Sequence, residues 1–257
     1  MELGDYATWM PTLVLVAARL LGMLMVAPAF GHAAVPVKLR IAAVLAMSPA
    51  VAGQVSVVAA PSASAAAMAA SVVTELLIGL VIGYAARLIL VGVRLGAFHV
   101  DLQTGLSIGE AFDPLSDEAG GSVRALFALL AVAVFVLIGG HRSLILATLR
   151  TYQTLPPGAA FGGEAMLRIA VSMLAAAFTL GLKLAAPVVI AMLLATTAMG
   201  FLQKTLPQAN LLSTHLPVRV LLGLAAVAAS LGVLRPLMEA AVDQLTNRVL
   251  VLTEAGF

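Results

Sequence analysis

Cysteine is absent from the 257 residues. That removes disulfides, thiol nucleophiles and Cys-ligated metals together. Charge is scarce as well: 10% of the residues are Asp, Glu, Lys or Arg, against roughly 25% in soluble domains. The eleven Arg and three Lys are scattered, and the formal net charge is only +2, so no basic patch is present to hold nucleic acid. The N-terminus, MELGDYATWMPT, is acidic and lacks the positive region of a signal peptide. The first apolar run is therefore expected to be retained as a spanning helix. There is no lipidation motif. Catalytic signatures are few: no HExxH or phosphate loop occurs, and His99-x-Asp101 has no second ligand cluster beside it. The expectation is a protein that is not an enzyme, with no catalytic residue, metal or cofactor.

What the chain has in excess is apolar surface. Hydrophobic residues make up 62% of it and mean hydropathy is +1.09, more than one soluble core can hide. The oily segments run past about 18 residues with few charges, which fits helices rather than the short alternating strands of an outer-membrane barrel. The fold class expected is all-α, a polytopic membrane protein of about six hydrophobic helical regions. The runs read as Leu13–Ala27, Ile41 to about Ala60, Ala65–Val93, Val123–Ile138, Ala165–Met199 and Val220–Leu234. Gly139–Arg142 ends or interrupts the fourth, with a helical pattern able to resume to Arg150. The fifth is long enough for one kinked helix or two shorter ones. After Arg235-Pro236, apolar residues recur at helical spacing into an amphipathic tail. A helix continuing from Ala65 to Gln103 would be about 58 Å long, against a bilayer core of about 30 Å. A break near Gly92–Gly96, or a helix reaching beyond the membrane, is required. Six basic residues flank the inside loops and two the outside loops when both termini are placed outside, as the positive-inside bias favours.

Arg19, Glu75, Arg87, Arg168 and Lys183 lie within or at the ends of the oily runs. A charge at a helix centre costs about 2.5–3.5 kcal/mol on insertion scales. Each such residue either snorkels from a helix end or meets a partner. Lys183 is too central to snorkel comfortably, so it and Glu75 are expected to be buried charges, paired within this chain or with a neighbour. A second anomaly is the stretch 92–124, which gathers Asp101, Glu110, Asp113, Asp117 and Glu118 with six glycines. No Lys or Arg lies between Arg94 and Arg124. Such a segment hangs in water or lines something wet inside the protein.

Specific residues carry a family resemblance. They are Ala27-Pro28-Ala29-Phe30 with Val35-Pro36 and Lys38, Glu75-Leu76-Leu77-Ile78-Gly79 with Gly83, Gly105-Leu106-Ser107, and Phe112-Asp113-Pro114. Further on come Gly140-His141, Leu155-Pro156, Ala186-Pro187, and Pro207-Gln208-x-Asn210 with Pro217. In this order the chain resembles the FliR family of flagellar type III export-gate proteins, related to the T component of injectisomes. The resemblance extends over nearly the whole length. It implies a P-like helical unit over 1–184 and a Q-like C-terminal helical hairpin over 185–257. It implies assembly with P- and Q-type subunits in the bacterial inner membrane, within the flagellar basal body. FlhB- and FlhA-type export components and unfolded protein substrates are the further partners implied. It places a channel plug at Gly105, Leu106, Ser107, Ile108, Gly109, Phe112, Asp113 and Pro114. A cytosolic loop contacting partners would hold Pro207, Gln208, Asn210 and Pro217. The function implied is that of a structural and gating subunit passing unfolded flagellar substrates across the membrane. The alternative is a secondary transporter for a small solute or ion that uses the buried charges.

Overall fold

The computed structural model of the chain describes residues 3–28, 30–31, 35–55, 64–105, 121–159, 163–205 and 211–254. Seven helices lie among them: α1 Leu3–Val26, α2 Val37–Ala52, α3 Ala65–Thr104, α4 Ser122–Leu137, α5 Gly140–Thr154, α6 Gly163–Thr205 and α7 Leu211–Glu254. No strand occurs among the described residues. Four helices, α1, α3, α6 and α7, are long and apolar enough to cross a membrane, and a fifth span arises if the bent pair α4–α5 counts as one. The protein is a polytopic helical membrane protein. Each of the six expected hydrophobic regions contains a helix, but α2 has only 16 residues, about 24 Å at 1.5 Å per residue, which is short of a bilayer core.

The helix ends follow local chemistry. Pro36, with φ −58°, precedes the first turn of α2, where its fixed φ suits helix entry and its missing N–H costs nothing. The α3 helix stops at Gly105, whose φ of +72° is the left-handed cap that glycine adopts without a Cβ penalty. Its N–H donates back to the Asp101 carbonyl at 3.2 Å. Between α4 and α5 the chain turns at Gly139, with φ +73°, and the two helices are bent by 59°. Gly139–Arg142 thus interrupts the fourth run, and the helix resumes as the sequence allows.

The α3 helix runs 40 residues without interruption, about 60 Å, so of the two expected solutions it takes the one that reaches beyond a bilayer core. One expectation is corrected. The α7 helix begins at Leu211 and passes through both Pro217 and Pro236. Pro217 is therefore a helical residue rather than part of a loop, and the amphipathic tail is continuous with the last apolar run. Interior prolines are tolerated in such helices because neighbouring groups and local adjustments satisfy the freed carbonyls. Of the two readings of the fifth run, the single long helix is the one that occurs, α6, of 43 residues.

The chain forms two compact units, one of Met1–Leu88, Phe135–Ala175 and Val242–Phe257, the other of Ile89–Val134 and Ala176–Ala241. In the first, α1 and the N-terminal half of α3 meet along a glycine seam. A Cβ on Gly22 would strike the Leu76 carbonyl, one on Gly79 the Arg19 carbonyl, and one on Gly83 the Met23 carbonyl. Backbone-to-backbone approach of this kind is what small residues at GxxxG spacing permit. The second unit repeats the device. A Cβ on Gly92 would lie 2.6 Å from the Ala177 carbonyl oxygen, one on Gly96 2.7 Å from that of Gly181, and one on Gly181 2.8 Å from that of Gly92. The Gly92–Gly96 pair thus marks a helix crossing, not a break.

Candidate functional site

Within the first unit a charge network sits at the α1–α3 seam. Arg19 and Glu75 both have fully buried side chains, and the Arg19 Nε donates to Glu75 Oε2 at 2.6 Å. The Arg19 Nη2 donates to Glu75 Oε1 and to the Leu155 carbonyl, both at 3.1 Å, and Nη1 donates to Thr151 Oγ1 at 3.1 Å. Four of the five guanidinium hydrogens are thereby used. The guanidinium also lies over the Tyr152 ring, 4.1 Å from its centroid, a cation–π arrangement. The Gly158 N–H completes the carboxylate by donating to Glu75 Oε1 at 2.8 Å. Gly158 has φ +82°, and that left-handed turn follows Leu155-Pro156-Pro157. Tyr152 in turn donates its hydroxyl to the Val16 carbonyl at 3.3 Å. One guanidinium and one carboxylate therefore fasten α1, α3, α5 and the turn after α5. The network is closed on itself: the Arg19–Glu75 pair is enclosed by protein on every side.

The second unit holds another fastening, at the foot of the acidic stretch. Asp101, in the last turn of α3, is 1% exposed, and the Arg124 Nε donates to its Oδ2 at 2.8 Å. Arg124 also faces the Phe98 ring, 5.7 Å from its centroid. Gly121 packs against the Asp101 carboxylate so closely that a Cβ there would collide with it. On the other side of this turn, Arg219 of α7 donates to the Gln103 carbonyl at 3.0 Å, capping a free C=O at a helix C-terminus with a cation. A Cβ on Gly223 would meet Thr104 at 2.8 Å. Gly105 and Gly121 thus both lie at Asp101, so the chain leaves and returns at one place. Asp101 is committed to Arg124, which removes it from any metal site with His99. Among the described residues no cluster of three metal-ligating side chains occurs.

Of the expected plug residues only Gly105 is described, as the cap of α3; Leu106, Ser107, Ile108, Gly109, Phe112, Asp113 and Pro114 lie outside the described residues. So do Pro207, Gln208 and Asn210, whereas Pro217 is an exposed residue of α7. The two expected buried charges separate. Glu75 is buried and its partner is Arg19, not Lys183. Lys183 is exposed on this chain, on the side of α6 turned away from the Gly92–Gly181 crossing. Arg19 does not snorkel, while Arg87 and Arg94 are exposed. Arg168 pairs with Glu164 at 2.6 Å on the surface. The hydrogen bond and charge of Arg168 hold the Glu164 carboxyl below its usual value, in an exposed pair worth little to stability. The Arg19–Glu75 pairing had only a weak sequence signal, one that Lys183 beside Gly181 shares. Each charge lies within a turn of a glycine, Gly22 and Gly79, where helix backbones come close enough for short reach.

The seven-helix arrangement, its glycine seams and its buried ion pair define a polytopic membrane protein built by close helix packing. The chain matches the family described as "Bacterial export proteins, family 1" over residues 10–245. It belongs to that family, and within it to the FliR group that the sequence resembles. It is 29% identical over 219 residues to "Flagellar biosynthetic protein FliR" of Caulobacter vibrioides, covering 85% of this chain and 87% of the relative. It is 26% identical over 247 residues to the protein of the same name from Escherichia coli, covering 95% and 93%. It is also 25% identical over 149 residues to "Secretion system apparatus protein SsaT" of Salmonella typhimurium, covering 58% of each chain.

Proposed function

We propose that this chain is a structural and gating subunit of a flagellar type III protein export channel in the bacterial inner membrane. It passes unfolded flagellar substrates in assembly with P- and Q-type subunits and alongside FlhB- and FlhA-type components of the basal body. The observation that carries the reading is the family match over residues 10–245. Residues 1–184 serve as the P-like unit, and 185–257, the second half of α6 with α7, as the Q-like hairpin. Residues 105–114 serve as the movable closure. In its support, the two residues that flank the segment 106–120, Gly105 and Gly121, both lie at Asp101, and Arg124 joins α4 to α3 there. The segment 206–210, with the first turns of α7, is the cytosolic partner contact. The channel does no chemistry of its own, and energy comes from other components.

A secondary transporter would need an open polar site at its buried charges. The Arg19–Glu75 network is enclosed and its two charges pair with each other, which counts against one there. The test is genetic and biochemical. Removing the gene should abolish secretion of flagellar proteins, and the tagged chain should co-purify with P- and Q-type subunits. Normal secretion without the gene, or purification of the chain alone from gently solubilised membranes, would overturn the reading.

A further inference from the structure

Lys183 sits where neither lipid nor water satisfies it in this chain. It is the only charged residue between Arg168 and Lys204 and lies near the middle of the apolar span Met166–Leu202. Thr179, Lys183, Pro187, Ile190 and Leu194 are all exposed. Their spacing of four, four, three and four places them on one helix face. A separate side of α6 is the buried one, with Ala177, Leu180, Leu184, Val188 and Met192. On the Lys183 face Ile190 is 58% exposed and Leu194 66%. The charge thus sits between Thr179 on one side and bare hydrocarbon on the other.

A second polar group opens at the same spot. Pro187 is four residues after Lys183 and has no N–H, so the Lys183 carbonyl lacks its helical donor. An ammonium and a freed carbonyl on one apolar face are two polar groups that lipid cannot meet. Facing lipid, the charge alone would cost about 2.5–3.5 kcal/mol. Facing a helix that carries a carboxylate at the same depth, it gains an ion pair inside an interface otherwise closed by side-chain packing.

We propose that this face of α6, centred on Lys183 and Pro187, is a docking surface for a membrane helix of a partner subunit bearing an Asp or Glu at mid-depth. The carboxylate accepts from the Lys183 ammonium, and a hydroxyl or amide beside it donates to the Lys183 carbonyl. The inference rests on the export-gate reading, which supplies a partner subunit.

The experiment places a photo-crosslinking amino acid at Leu182 or Ile190 in the full chain, within membranes that hold all export components. The expected adduct is with one partner subunit, through a peptide containing Asp or Glu. K183E should lower the co-purified partner about tenfold or more, K183M should lower it less, and K183E should be rescued by an acid-to-Lys change in the crosslinked peptide. Because Lys183 is exposed, the variants alone should elute from size exclusion as the native chain does, which separates lost docking from lost folding. Adducts only with phospholipid, or only with a second copy of this chain, would overturn the proposal. So would unchanged co-purification of K183E. Failure of the unmodified chain to co-purify with any partner would instead sink the export-gate reading, and this inference with it.

Discussion

Neutralising Glu75 should damage this protein more than any surface substitution. In E75Q the carboxylate becomes an amide, the Arg19 charge stays buried without its counter-ion, and one acceptor oxygen becomes a donor facing the guanidinium. Removing one partner of a buried pair costs about 3–5 kcal/mol, which is roughly 10²–10⁴ in the folded population at about 1.4 kcal/mol per decade. Replacing both partners, as in R19M/E75Q, removes both charges. It leaves the Leu155 carbonyl without its Arg19 donor, at about 1–3 kcal/mol, while the new amide still accepts from Gly158. The double variant should therefore lie well above the sum of the two single losses, with a coupling of about 1–3 kcal/mol. Unfolding of the detergent-solubilised chain by increasing SDS, followed by far-UV circular dichroism, measures the cycle. Two results would refute the reasoning: single variants as stable as the wild type, or losses that add within about 0.5 kcal/mol.

Three other substitutions test the packing. Gly79→Ala puts a methyl group against the Arg19 carbonyl and should cost about 1–3 kcal/mol by overpacking, read in the same SDS titration; a neutral result would mean α1 and α3 are not in backbone contact. At the α4–α5 bend, Gly139→Ala meets nothing within 4 Å and should lose only about 1–2 kcal/mol for its φ of +73°. Gly140→Ala meets the Phe135 ring at 2.5 Å, so its loss depends on that ring and should be relieved by Phe135→Leu, whereas the Gly139→Ala loss should not. Asp101→Asn should weaken the hold of Arg124, which is 29% exposed, by about 1–2 kcal/mol after allowance for solvent screening. The readout is faster protease cleavage between residues 105 and 121, and an unchanged cleavage rate would contradict the fastening.

The helices were legible because long apolar runs leave few alternatives, and the start of α2 after Pro36 and the interruption at Gly139 could be read from residue type. Lengths were harder. Pro217 and Pro236 look like breaks in sequence, yet α7 runs through both, since packing against other helices overrides local propensity. A break at Gly92–Gly96 was one of two ways to place α3, because glycine serves flexibility and close approach alike, and the facing Gly181 decides for close approach. Pairing was the least legible property. Glu75 and Lys183 are both charges in oily runs, and nothing in one dimension distinguishes a residue at a helix crossing from one on an outer face. Arg19 became the partner of Glu75 through the Gly22–Gly79 seam, a contact spanning 56 positions. The acidic stretch was visible from composition alone, but its anchoring through Asp101 and Arg124 needed the fold.

The central claim is that residues 105–114 close a protein-conducting channel. Its most direct measurement is ion conductance across planar bilayers holding the purified complex of this chain with its P- and Q-type subunits, with and without residues 106–114. A closed wild-type complex and a persistently conducting deletion complex of the same composition are expected. Equal, low conductance from both complexes would contradict it.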